Sequence, residues 1–162
     1  MTHEILSDAY WRPSDDELTA LLNRVYVDGG FTDRDVAMTV LAPGAVRARG
    51  MMLCARSIAG SLLGTLIVVP PSSKARLLAG PSEAELHLLA VDAACRGRGI
   101  GFDLVSAGIA EATRASYQGL VLWTQPTMHA AQRVYERAGF VRSIGEDFDR
   151  AGRTFRVYRR PL

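Results

Sequence analysis

Between residues 15 and 27 the chain sets Leu18, Leu21, Leu22 and Val25 at helical intervals among polar neighbours, with Ser14-Asp-Asp-Glu17 just ahead of them. The stripe predicts a helix, opened by a serine/glutamate capping box and stopped at Asp28-Gly-Gly30. Asp33 to Leu41 fits a second short helix, and Ala42-Pro-Gly44 then breaks the chain. The pattern next turns apolar and β-branched. Met51 to Arg56 and Ser61 to Val69 read as strands joined by a hairpin at Ser57-Ile-Ala-Gly60, and Pro70-Pro-Ser-Ser73 ends the second. A polar stretch, 70–82, leads into a strand at 84–91. Strict alternation there puts Leu86, Leu88 and Ala90 on one face and Glu85, His87, Leu89 and Val91 on the other. Because both faces are apolar beyond residue 87, this strand belongs inside a sheet.

The second half alternates the two periods. Ile100, Leu104, Val105, Ile109 and Ala112 form one side of a helix over 99–116, followed by a short buried strand at 119–124. Pro126 and Thr127 open another helix with Met128, Ala131, Val134, Tyr135 and Ala138 as its inner stripe, closed by Gly139. Phe140–Ile144 and Thr154–Arg160 then pair around residues 145–152. The pattern predicts an α/β layer structure with a mixed sheet.

At 162 residues the chain reads as one domain, 1–162, with a core that needs no staple. Cys54 and Cys95 lack metal-ligand spacing, and the three histidines are scattered, so no metal is expected; Cys54 reads as core and Cys95 as a loop thiol. No apolar run reaches membrane-spanning length and the first residues do not form a secretory signal, so a cytoplasmic protein without a membrane partner is expected. The net charge of +2 is too small to imply nucleic acid.

The chemistry concentrates where the strand at 84–91 empties through Asp92-Ala-Ala-Cys-Arg96-Gly-Arg-Gly-Ile-Gly101 into a helix. Converging backbone N–H groups, the helix dipole and Arg96 and Arg98 make such a turn a holder of phosphate. A P-loop is excluded, since no Lys-Ser or Lys-Thr follows the glycines, and a dinucleotide fingerprint would need a small residue where Phe102 stands.

Arg96-Gly-Arg-Gly99-Ile-Gly101 resembles the [RQ]-x-x-G-x-[GA] signature of the GNAT superfamily of acetyl-CoA-dependent N-acetyltransferases, and Met128 to Phe140 resembles the family's later segment. The resemblance implies a mixed, mostly antiparallel central sheet flanked by helices and splayed at its central strand. It also implies acetyl-CoA as co-substrate, held by Arg96, Gly97, Arg98, Gly99, Ile100 and Gly101 at the pyrophosphate and by the backbone of Leu89, Ala90 and Val91 along the pantetheine. An N–H near Leu89 or Ala90 would then serve the thioester oxygen, worth about 3 kcal/mol in acyl transfer.

A lysine-like amine is neutral in about one molecule in a thousand at pH 7, so a base or a dry pocket must offset roughly 4 kcal/mol. By resemblance Glu85 is that base, directly or through water, with His87 about 7 Å along the same face; taken alone, Glu85 is equally a strand-end surface carboxylate. Tyr135 is implied as the acid for the leaving thiolate, and taken alone it is one more member of the helix stripe. Met128 stands where many relatives carry a cofactor-contacting asparagine. Tyr26–Phe31, the 70–82 loop and the acidic Glu146, Asp147 and Asp149 would wall the acceptor site. The trio either attracts a cationic amine or forms a solvated turn.

The expected reaction is direct attack of a primary amine, small-molecule or protein-borne, on acetyl-CoA in a ternary complex. A non-catalytic acyl-CoA sensor is the alternative from another class; transfer to aminoacyl-tRNA would demand a broad basic face. The sequence is compatible with a homodimer.

Overall fold

The computed structural model describes residues 2–162. An opening strand the sequence pattern did not show, β1 (His3–Ser7), lies on the sheet edge, where His3 also reaches Asp103 at 2.9 Å. The capping box forms as expected: Glu17 N–H donates to Ser14 Oγ, and Ser14 N–H donates to the Glu17 carboxylate. It starts α1 (Asp15–Leu22), whose Leu18, Leu21 and Leu22 are fully buried. The helix then widens into a π-turn, Asn23–Val27, completing the predicted 15–27 span. After α2 (Arg34–Val40), Pro43 does not break the chain. It sits in the first turn of a further short helix, α3 (Pro43–Arg47), where its missing N–H costs nothing.

The strands follow as β2 (Met51–Ser57), β3 (Leu62–Val69) and β4 (Glu83–Val91). Next come α4 (Ile100–Arg114), β5 (Gly119–Thr124), α5 (His129–Arg137), β6 (Val141–Arg142), β7 (Phe148–Arg150) and β8 (Arg153–Pro161). They form one eight-stranded sheet in the order β1-β2-β3-β4-β5-β8-β6, with β7 paired to β8 off that path. All pairs are antiparallel except β4 with β5. This is the mixed, mostly antiparallel, helix-flanked sheet expected. The predicted closing pair is present as Val141 opposite Arg159 and Arg142 opposite Tyr158. The residues between them add β7, turning into β8 through the positive-φ pair Ala151 and Gly152.

Two cores cover the sheet. On one face α4 and α5 bury Leu66, Leu104, Leu120 and Tyr135 among others, and α4 comes so close that a Cβ on Gly108 would lie 2.9 Å from Leu66. On the other, α1 to α3 cover Met52, Ile67 and Ala90.

Strict alternation fails in β4. His87 pairs with Ile67 but the next partners are Ala90 and Thr65, so β4 carries one extra residue, and Leu88 takes a φ of 53° to accommodate it. Leu86, Leu89 and Val91 consequently join the α4-side core, while Leu88 and Ala90 join the α1-side core. The expected grouping of Leu86 with Leu88 and Ala90 is corrected accordingly. Opposite the bulge, β3 must have a glycine: a Cβ on Gly64 would sit 2.7 Å from the Ala90 carbonyl oxygen.

Candidate active site

β4 and β5 pair only from Glu83 to Glu85, against Gly119 to Val121. Beyond that point the neighbours diverge, so the upper half of β4 has no strand partner on its β5 side. The gap is filled from above the sheet. Tyr26, on the π-turn, donates its hydroxyl to the Leu89 carbonyl at 2.9 Å, and Arg96 Nε donates to the Val91 carbonyl at 3.3 Å.

The turn after β4 is built by local chemistry. Asp92 accepts from Ala94 N–H at 3.0 Å and pairs with Arg24 at 2.8 Å, holding a single 3-10 turn, Ala93–Cys95. Gly97 and Gly99 then adopt φ values of 76° and 82°, a region that side-chain-bearing residues avoid. The first backbone bond of α4 is Asp103 N–H to the Gly99 carbonyl, and no side chain caps the helix. The N–H groups at the start of α4 are therefore aimed at an outside acceptor, with the positive end of a fifteen-residue helix behind them.

Between this turn and the π-turn lies a cleft of about 340 Å³. Leu89, Val91, Arg96, Gly97 and Gly101 line it, as do Tyr26, Phe31 and Met128. Of the other sequence-predicted grip residues, Ala90 and Ile100 are buried in the two cores, and Arg98 and Gly99 lie exposed in the turn outside the cleft lining. Met128 is fixed by a hydrogen bond from Thr124 Oγ1 to its sulfur at 3.2 Å, so a soft apolar group occupies that part of the wall.

Glu85 is not a surface carboxylate: it is fully buried. Its Oε1 accepts the backbone N–H groups of Leu77 and Ala79, each at 2.7 Å, and that of Leu78; its Oε2 faces His87 Nε2 at 2.7 Å. Glu85 and His87 are thus in direct contact rather than about 7 Å apart. His87 Nδ1 faces Arg49 Nη1 at 3.3 Å, and arginine can only donate. Nδ1 must then accept, which places the imidazole proton on Nε2, pointing at Glu85. Burial by itself would raise the Glu85 pKa, but the His87 bond and the three N–H groups outweigh it and hold the carboxyl below its ordinary range. Burial and the nearby Arg49 lower that of His87, against the pull of Glu85. The pair is a carboxylate beside a neutral imidazole.

Tyr135 lies one helical turn beyond Ala131, which lines the cleft, but is itself buried in the α4-side core and is not among the cleft-lining residues. Its ring packs against Phe140 and Tyr158 at centroid distances of 6.1 and 6.3 Å. Burial, with Tyr26 nearby, raises its pKa well above the ordinary phenol value, so it is protonated at neutral pH.

Other expected features fall differently. Cys95 is buried in the α4-side core, not a loop thiol, while Cys54 is core as expected, its pKa pushed up to about 12 by burial and by Asp8. The acidic trio is consumed internally. Glu146 binds Arg159 through two contacts of 2.6 and 2.7 Å, Asp147 pairs with Arg142, and Asp149 accepts from Thr154. The Arg159 bonds, with Ser143, hold Glu146 down to about 2. Arg49, Gln125 and Trp123 were not singled out from the sequence. Gln125 Nε2 donates to the Phe31 carbonyl at 2.7 Å, and Arg153 reaches Gly30 and Asp33, so these two side chains pin the 26–31 wall over the cleft. Only long-range folding brings them together, and no local pattern marks them. Among the described residues no group of acidic, histidine or cysteine side chains could hold a metal, and no helix is long and apolar enough to cross a membrane.

Residues 9–140 match the Acetyltransferase (GNAT) family. Mycothiol acetyltransferase of Mycobacteroides abscessus is 29% identical over 136 residues, covering 81% of this chain but 44% of that protein, so the chain spans less than half the length of this relative. Among solved structures, a GNAT-family acetyltransferase from Staphylococcus aureus superposes with a TM-score of 0.78 at 20% identity, covering 99% of each chain. A Bacillus subtilis acetyltransferase in complex with CoA gives 0.70 at 18% identity, again covering 99% of each chain.

Proposed function

Because the chain belongs to the GNAT family of acetyltransferases, we propose that it transfers the acetyl group of acetyl-CoA to a primary amine by direct attack within a ternary complex. The observation that carries this reading is the cleft itself, which joins the glycine turn at Arg96–Gly101 to the unpartnered upper half of β4. Arg96, Gly97 and the free N–H groups at the start of α4 suit a diphosphate, and Leu89 and Val91 suit the chain that carries the thioester.

In this reading the amine nitrogen forms a bond to the thioester carbonyl carbon, and the carbon–sulfur bond breaks. The amine gives up a proton and the departing thiolate gains one. Tyr135 supplies that proton, since burial keeps its phenol protonated at neutral pH. The base function belongs to Glu85 acting through His87: the carboxylate holds Nε2–H and orients the ring, and Nδ1, whose lone pair accepts from Arg49 Nη1 at 3.3 Å, can take the proton only once Arg49 has moved off it. Glu85 itself, with both oxygens engaged, steadies the imidazolium formed when Nδ1 takes the proton.

The test is calorimetric titration with CoA and acetyl-CoA, followed by an amine screen with a thiol reporter comparing wild type with Tyr135→Phe. Micromolar binding and acceptor-dependent thiol release are expected. Binding without thiol release in any arm would favour the sensor reading, and absence of binding would overturn both.

A further inference from the structure

A strip of aromatic rings leads away from His87. Trp123 on β5 meets the imidazole edge to face with centroids 4.6 Å apart, Phe148 on β7 lies 6.2 Å beyond Trp123, and Phe155 on β8 stacks on Phe148 at 5.3 Å. The pairing of Glu85 with Val121 and of Trp123 with Val157 carries His87, Trp123 and Phe155 to one face of the sheet. It is the face that α1 to α3 cover over β2 and β3. Past β4 those helices give way to Leu78, Ala79 and Phe148, which pack on Val121 and Val157. That cover is incomplete: Trp123, Phe148 and Phe155 each keep part of their surface open to solvent. The strip also adjoins the cleft. Gln125, two residues past Trp123, donates to the Phe31 carbonyl, and Arg153, two before Phe155, donates to that of Gly30, while Phe31 itself lines the cleft.

The chemistry of the strip selects an acceptor. Its acidic neighbours are spent, since Glu146 holds Arg159, Asp147 holds Arg142 and Asp149 accepts from Thr154, so a polycation finds no free carboxylate there. Rings at these spacings take a further ring edge to face or offset-stacked. The acceptor nitrogen has to come within hydrogen-bond reach of His87 Nδ1, in the place from which Arg49 Nη1 donates at 3.3 Å. Trp123 touches that same imidazole, so the apolar part of the acceptor begins within a few bonds of its nitrogen. We propose that Trp123, Phe148 and Phe155 bind the substituent of the acceptor, and that the acceptor is an arylalkylamine, a primary amine joined to an aromatic ring through a short alkyl linker. Its nitrogen bonds to the thioester carbonyl carbon as the carbon–sulfur bond breaks, and its proton passes to Nδ1. This rests on the acetyl-transfer reading and names its substrate class.

The experiment compares phenethylamine, propylamine, spermidine and lysine amide as acceptors for the 162-residue chain, reading kcat/KM by thiol release from acetyl-CoA. Phenethylamine should exceed propylamine by about 10- to 100-fold, the worth of burying one ring, mainly through KM. In Phe148→Ala and Phe155→Ala that ratio should fall towards one; taken between two substrates on one protein, it does not change with the fraction that folds. Trp11 and Trp123 are the two tryptophans, so Trp11→Phe isolates the emission of Trp123. That emission should shift on titration with phenethylamine at saturating CoA, a readout independent of turnover. Equal or better use of propylamine, spermidine or lysine amide would overturn the substrate class while leaving acetyl transfer standing. So would a ratio unchanged in both variants, or emission that does not respond. Acetyl-CoA binding with no transfer to any acceptor would overturn both readings, as would failure to bind the coenzyme.

Discussion

A carboxylate that accepts four hydrogen bonds in a dry site resists both protonation and movement. Glu85 is in that position, so its removal is a structural event before it is a chemical one. Glu85→Ala strands three N–H groups of residues 77–79 and the Nε2 proton of His87, and it should cost about 3 to 5 kcal/mol of stability. Urea denaturation would measure this, and a loss under 1 kcal/mol would contradict the network. Tyr135→Phe is the contrasting case, since it deletes one oxygen and leaves the ring against Phe140 and Tyr158. Here kcat should drop about 100- to 1,000-fold with the melting temperature nearly unchanged. A change in stability without one in kcat would return Tyr135 to a packing role.

At the level of elements, the glycine turn and the β4 bulge place the cleft. Gly99→Ala puts a side chain at a φ of 82° and should cost about 1 to 2 kcal/mol, with weaker CoA binding by calorimetry. Substituting Gly64 should act on the same cleft from the neighbouring strand, through the Ala90 carbonyl. Order and type of most elements were legible in the sequence because their apolar periods are long and their ends carry caps. The bulge was not, because Leu88 is an ordinary apolar residue whose φ is set by pairing with β3. Nor was β1, five residues at the edge that gain their order from β2 and α4. The glycine turn was legible because its chemistry is contiguous. Arg49 was not, being thirty-eight residues from the histidine it touches.

For the molecule as a whole, His87 and Glu85 tie folding to pH in the same direction. Both have lowered pKa values in the fold, so the unfolded chain binds protons more readily. His87 starts to cost stability as pH falls below about 6.5, and Glu85 adds its share below about 4.3. Their contributions are complete above those values and are lost as pH falls through the folded ones. Melting temperature should therefore decline on acidification from about pH 6.5, and His87→Gln should flatten the upper part of that decline. A profile identical in the two proteins would show that His87 is not the group responsible.

Cys54 and Cys95 lie beneath opposite faces of the sheet, one under α1 to α3 and the other under α4. A thiol-reactive dye can reach each sulfur only when its own layer lifts, so labelling rates for the two single-cysteine variants time the breathing of the two layers separately. If the acetyl donor grips the α4 side first, saturating CoA should slow modification of Cys95 more than that of Cys54.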